Sequence, residues 1–225
     1  MSERSTGVKG YRIAVFVITL GYFLYRFYET SPGYFGAQFR FLTIWALTAS
    51  TVSAGLMLAY TMEWTERRAD VFASVTVVLN ATVVLMYWKI FLQDPKLFYG
   101  ADGDMPPWHQ EYFLHALGPI LQIFDAVFIM GAFRRFWKTA AWVAIIPLAY
   151  ITWIEGLVSP MNARPVGSVT TGLPYLFLNN LDVAGRTKFY VTTVITMMIL
   201  FLVFWGLSAG LRRVRVSRTG VSQST

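Results

Sequence analysis

The sequence predicts an all-α fold, a polytopic membrane bundle of six transmembrane helices, and three observations carry that prediction. The 225 residues are 56% hydrophobic with a mean hydropathy of +0.50, more apolar than the core of a soluble domain of this size requires. Apolar stretches of about twenty residues recur, each long enough to cross roughly 30 Å of hydrocarbon as a helix. Basic residues gather on alternate connections, as in the positive-inside pattern of membrane helices. The spans fall at about 11–28, 40–62, 71–92, 112–133, 139–158 and 189–211. They consume nearly the whole chain, so residues 1–225 read as a single membrane domain with short polar tails.

The first span follows a polar segment bearing Arg4 and Lys9, lacks a small-residue cleavage site and is followed by further spans. It reads as an uncleaved first helix rather than a signal peptide. Short connections at 63–70 and 134–138 make the second and third spans, and the fourth and fifth, antiparallel neighbours. Connections at 29–39, 93–111 and 159–188 are longer. The last holds Pro160, Pro165, Gly167, Gly172 and Pro174 and then the apolar Tyr175-Leu176-Phe177-Leu178. A loop of that length with its own apolar residues is expected to pack as a lid or re-entrant segment. Tyr22, Tyr25, Tyr28, Tyr34, Trp88, Trp108, Tyr112 and Trp153 gather toward the same end of the bundle, as interfacial aromatic belts do.

With the N-terminus cytoplasmic, that side carries Arg4, Lys9, Arg12, Arg67, Arg68, Arg134, Arg135, Lys138, Arg212, Arg213, Arg215 and Arg218. The opposite side has fewer basic residues and carries Asp94, Asp102, Asp104 and Glu111. Both termini are therefore expected in the cytoplasm. The net charge of +7 reports this orientation and not nucleic-acid binding. The absence of cysteine excludes disulfides, Cys-based metal sites and thiol catalysis. Two histidines six residues apart, His109 and His115, have a poor metal spacing, and no nucleotide, nucleophile-elbow or zincin motif is present. No cofactor is expected.

The fourth span, HALGPILQIFDAVFI, holds His115, Pro119 and Asp125 inside apolar sequence. A bilayer penalises ionisable groups by a few kcal/mol each, so such residues face a bundle interior and default to functional candidates. Thr43 in the second span enters from the same end. At about 1.5 Å per residue, Thr43 and His115 both sit roughly 5 Å below the outer interface. Helical spacing puts His115, Gly118, Pro119 and Gln122 on one face and Thr43, Ala46 and Ser50 on another. Small, weakly polar stripes of this kind mark helix–helix interfaces in membranes. A threonine hydroxyl becomes a nucleophile when a base takes its proton, and imidazole suits that task. The bland reading is that a buried threonine bonds its own backbone while a buried histidine bridges helices.

Asp125, ten residues beyond His115, lies about 15 Å deeper and cannot orient that imidazole. It is expected to be a midplane structural partner for Asn80 of the third span, or protonated; Gln122 is likewise read as structural. Glu155, near the outer end of the fifth span, is the acid expected to reach His115. Arg26 and Lys89, near the same level, are expected to pair with Glu155 or bind a carboxylate headgroup, or else simply to snorkel.

These pieces resemble the six-span androgen-induced membrane protein family and its bacterial relatives. Phe39-Arg40-Phe41-Leu42-Thr43-Ile44-Trp45 is similar to the segment holding that family's essential threonine. His115 followed by Pro119 and Asp125 resembles its histidine segment, and Pro147 with Tyr150, then Pro174-Tyr175-Leu176-Phe177-Leu178, its fifth helix and Pro-Tyr turn. The likeness covers about residues 11–210. It implies an integral-membrane hydrolase of lipid or fatty-acid esters, since animal members cleave fatty acid esters of hydroxy fatty acids, with Thr43 as nucleophile and His115 as base. The chain departs from the bacterial relatives in having Leu47 where many have asparagine. Two other readings follow from the same residues: a non-catalytic lipid-binding or accessory subunit, and a proton-coupled transporter using His115, Asp125 and Glu155. The expected partners are membrane lipids or an amphiphilic ester, not nucleic acid.

Overall fold

The computed structural model describes residues 3–29, 33–99 and 106–221, with the side chains of 99 and 215–221 outside that description. Asp102 and Asp104, and the side chains of Arg215 and Arg218, therefore lie outside the described residues. Six helices are long and apolar enough to cross a membrane: α1 (Thr6–Tyr28), α2 (Leu42–Thr61), α3 (Asp70–Phe91), α4 (Trp108–Ile129), α5 (Phe136–Met161) and α6, apolar over Val183–Val214. Each is within six residues of its expected start. The largest shift is in α6, which takes in Arg186 and Lys188 because Arg186 finds a carboxylate partner on α5. Six crossings return the chain to the end of the bundle where it began.

α3 is the axis. In its apolar window 67% of residues are buried, against 17% in α6, and it packs on α2, α4, α5 and α6. Its sequence suits that place: Val75, Val77, Val78, Leu79 and Val83 fill the core. Ser74, Thr76 and Thr82 return their hydroxyls to the carbonyls of Asp70, Phe72 and Val78, so these polar groups are satisfied without water.

α4 is not a regular helix. It runs as α over Trp108–Tyr112, π over Phe113–Leu117, α over Gly118–Phe124 and π again over Asp125–Ile129. The first irregularity follows from Pro119, which has no N–H to give the carbonyl of His115 and whose ring would strike it in a regular turn. Widening the turn relieves the clash, and Gly118 lets it close: a Cβ there would meet the Phe113 carbonyl oxygen at 3.0 Å and its ring at 3.2 Å. The second widened turn carries the Met130 N–H to Asp125 O at 2.8 Å, and the chain then leaves the helix through Gly131 at φ 62. Three arginines satisfy the carbonyls exposed there: Arg68 donates to Met130 O, Arg134 to Gly131 O and Arg212 to Ala132 O.

Two buried polar ties cross the bundle. Ser50 on α2 accepts from Asn80 at its hydroxyl (2.7 Å) and from Gln122 at its carbonyl (3.1 Å), joining α2, α3 and α4. Arg12 on α1, 1% exposed, grips Asp125, also 1% exposed, through Nη2 at 2.6 Å and Nε at 2.9 and 3.1 Å. Its Nη1 donates to Met57 O and Thr61 Oγ1. These ties correct two expectations. Asp125 is not the partner of Asn80, and it lies toward the N-terminal end of the bundle rather than at mid-depth, because α4 begins at Trp108. Arg12 is a buried counter-ion and not a surface charge.

The segment between α5 and α6 packs as a lid. Leu173 and Leu178 are 0% and 1% exposed and join Tyr150, Ile154 and Val158 in one apolar cluster. The Asn179 side chain holds the turn closed, accepting from the Leu173 N–H at 3.2 Å and donating to the Leu173 carbonyl at 3.0 Å.

Candidate functional site

Under that lid, at the end of the bundle opposite the termini, lies a cavity of about 390 Å³. Thr43 and His115 both line it, with Arg26, Arg40, Tyr150 and Tyr175. Apolar walls come from Val83, Ile90, Ile151 and Phe177 among others. The Thr43 hydroxyl oxygen lies 3.4 Å from His115 Nε2, so the two residues matched by depth in the sequence are brought together in space. Thr43 is the second residue of α2, where first-turn N–H groups lack helical acceptors and the helix dipole is positive. An oxygen there is favoured in its negative form.

His115 is fixed on three sides. Its ring stacks on Tyr87 at 3.6 Å between centroids, with 3° between the planes. Its backbone carbonyl, deprived of the N–H that Pro119 lacks, accepts from the Trp88 indole at 2.7 Å. Its Nδ1 lies 3.2 Å from Glu111 Oε2, one helical turn back, and both side chains are largely buried. The Glu111 contact is one of proximity, since Nδ1 makes no aligned hydrogen bond, while Nε2 is the ring nitrogen that faces the Thr43 hydroxyl.

Glu111 is the acid that sequence reasoning missed. Hydropathy starts the fourth span at 112 and leaves Glu111 as a loop-side charge; its i,i+4 spacing to His115 is the signal that finds it once α4 starts at Trp108. Glu155, expected in that role, is held elsewhere: its Oε1 accepts from Arg186 Nε at 2.9 Å and from the Tyr190 hydroxyl at 2.7 Å, clasping α5 to α6. Lys89 is exposed and does not line the cavity. Arg26 does, donating to Gln110 Oε1 at 2.6 Å, to Gln38 Oε1 at 3.3 Å and to Glu29 Oε2 at 3.4 Å, so its acid partner is Glu29 rather than Glu155. Arg40, not singled out before, is a second cation on the wall. Its guanidinium lies 3.9 Å from the Tyr34 ring centroid and 4.6 Å from that of Phe41, and burial pushes its pKa down.

The remaining site residues fall where their helical faces indicate. Ala46, Ser50, Gly118, Pro119 and Gln122 are all buried. Leu47 packs with Ile44, Phe113 and Leu114, so its position is filled by apolar contact. His109 sits apart, near the rings of Tyr22 and Tyr25, and among the described residues no three His, Cys, Asp or Glu converge as metal ligands would.

A family model described as FAR-17a/AIG1-like protein matches residues 11–209. No curated protein and no solved structure matches the chain.

Proposed function

The chain belongs to the FAR-17a/AIG1-like family, and from that premise we propose that it is an integral-membrane hydrolase of lipid or fatty-acid esters, with Thr43 as nucleophile and His115 as base. The observation that carries this reading is the 3.4 Å separation of Thr43 Oγ1 and His115 Nε2 at the wall of a cavity. A spacing slightly beyond a good hydrogen bond is common for catalytic pairs without substrate and tightens on binding.

In the reaction, Thr43 Oγ attacks the ester carbonyl carbon while its proton passes to His115 Nε2. The carbonyl electron pair moves onto the carbonyl oxygen. When it returns, the alcohol oxygen leaves with the proton from His115, and Thr43 carries the acyl group. Water, deprotonated by His115, then releases the acid. Glu111 orients the ring and offsets the charge it gains. The apolar walls suit an acyl chain, and Arg26 and Arg40 suit the carboxylate that esters of hydroxy fatty acids carry. The charge pattern of the connections supports cytoplasmic termini, with the ester cleaved near the outer leaflet.

The test is covalent labelling of the purified full chain with a fluorophosphonate probe. Wild type is expected to label at Thr43, and Thr43→Ala and His115→Ala to lose the label. Equal labelling of wild type and Thr43→Ala, or labelling of neither, would leave the non-catalytic reading in its place.

A further inference from the structure

Ester cleavage through Thr43 requires a hydrogen-bond donor where the carbonyl oxygen becomes negative, and such donors are among the largest contributions to acyl transfer. Resting on the hydrolase reading above, we propose that Tyr175 is that donor: its hydroxyl hydrogen bonds the substrate carbonyl oxygen as it becomes the oxyanion.

The backbone of α2 points to the phenol. In its first turn, the N–H groups of Ile44 and Trp45 go to Phe41 O at 3.1 and 3.4 Å. The Leu42 N–H donates to the Tyr175 hydroxyl oxygen at 3.0 Å, and the Thr43 N–H and hydroxyl lie beside the same oxygen. Accepting from the helix N-terminus occupies the oxygen's lone pairs and polarises its O–H bond, so the positive end of α2 is relayed through Tyr175 to the cavity. The hydroxyl of Tyr150 also borders Tyr175, but its hydrogen is committed to Arg40 O at 2.8 Å. The Tyr175 hydrogen then has the Tyr150 and Thr43 oxygens as its neighbours, and the incoming carbonyl oxygen takes their place as its acceptor.

Position follows from the chemistry. The oxyanion and Thr43 Oγ are bound to the same carbon in the tetrahedral intermediate, so a donor beside Oγ reaches both. Tyr175 keeps its proton throughout: the carbonyl pair moves onto oxygen, is held by the O–H, and returns as the C–O bond to the alcohol breaks. Burial raises the pKa of Tyr175, which keeps it a neutral donor. Its ring is fixed edge-on against Phe41 at 5.8 Å and Phe98 at 6.2 Å, and the lid turn that carries it is tied by Asn179. A donor held this way needs little reorganisation during the reaction.

The experiment measures fluorophosphonate labelling rates of wild type and Tyr175→Phe, since the probe's phosphoryl oxygen occupies the same place as the carbonyl oxygen. Labelling at Thr43 is expected to slow about 10²–10³-fold in Tyr175→Phe. Because Tyr175→Phe also strands the Leu42 N–H, a second arm places 3-fluorotyrosine at position 175, which keeps the size and the hydroxyl but makes it more acidic. The basic limb of the pH–rate profile is then expected to move to lower pH, and the same analogue at Tyr11, bonded to Leu121 O on a remote part of the bundle, to leave it in place. Wild-type labelling rates in Tyr175→Phe, or an unmoved basic limb with the analogue at 175, overturn the proposal while the Thr43 reading stands. A wild type that does not label at all overturns both.

Discussion

The Trp88 indole N–H donates to the backbone carbonyl of His115 at 2.7 Å, replacing the helical partner that Pro119 cannot supply. A proline one turn beyond the candidate base thus frees its carbonyl, and a residue on α3 takes that carbonyl to fix the height and tilt of the imidazole. In Trp88→Phe the carbonyl loses its donor, with an expected cost of about 1–3 kcal/mol to stability. Pro119→Ala restores an N–H at 119, so the cost of Trp88→Phe should shrink in that background. The coupling is read from a double-mutant cycle of unfolding free energies in detergent. A Trp88→Phe penalty that ignores residue 119 would show that the indole matters only through packing.

Glu111 and Glu155 separate orientation from clasping. Glu111→Gln keeps the size of the acid beside His115 Nδ1 but not its charge, and Thr43 labelling is expected to slow about 10²-fold, the scale of an acid–base partner. Glu155→Gln weakens the bonds to Arg186 and Tyr190, so it should lower the melting temperature and leave the labelling rate of the folded protein nearly unchanged. If Glu155→Gln slowed labelling more than Glu111→Gln, the acid would have been assigned to the wrong helix.

These outcomes bear on what the sequence made legible. Span number and the facing of Thr43 and His115 were readable because both rest on local rules, apolar length and helical rise. Glu111 and Arg12 were not: Glu111 falls one residue outside the span that hydropathy draws, and Arg12, just inside the first span, counts in the sequence only toward the basic charge of its side. Both lie within true helices and meet partners that composition does not reveal, an imidazole one turn ahead and a carboxylate more than a hundred residues away. Tyr175 was visible only as part of a Pro-Tyr turn. Its link to the start of α2 depends on how the lid folds back, and no periodicity encodes that.

The Arg12–Asp125 pair is predicted to be the most sensitive structural site away from the cavity. Removing one partner strands a buried charge, so Asp125→Ala or Arg12→Ala alone should cost about 3–5 kcal/mol. Replacing both with apolar residues of similar volume, as in Arg12→Met with Asp125→Leu, should recover most of that loss. Thermal unfolding of the four proteins in the same detergent measures it. Equal instability in the double and single variants would place the value of Arg12 in its bonds to Met57 O and Thr61 rather than in the ion pair.

The orientation of the bundle can be read chemically because the chain has no cysteine to remove. Glu66 and Lys96 are exposed and lie in connections at opposite ends of α3, Glu66 before it and Lys96 after it. With cytoplasmic termini, Lys96→Cys should react with a membrane-impermeant maleimide added to intact cells, and Glu66→Cys only after the membrane is opened. The cavity lies at the end reached by Lys96, so the same result would place the Thr43–His115 pair near the outer leaflet. The reverse labelling pattern would move ester cleavage to the cytoplasmic face. Many arginines at the N-terminal end are already engaged inside the protein: Arg12 with Asp125, and Arg68, Arg134 and Arg212 with the carbonyls that end α4. Replacing surface Arg67 with glutamate should therefore affect orientation with little loss of stability. Replacing Arg68 should lower stability first, since it removes a helix cap and an ion pair to Glu3 at 2.8 Å.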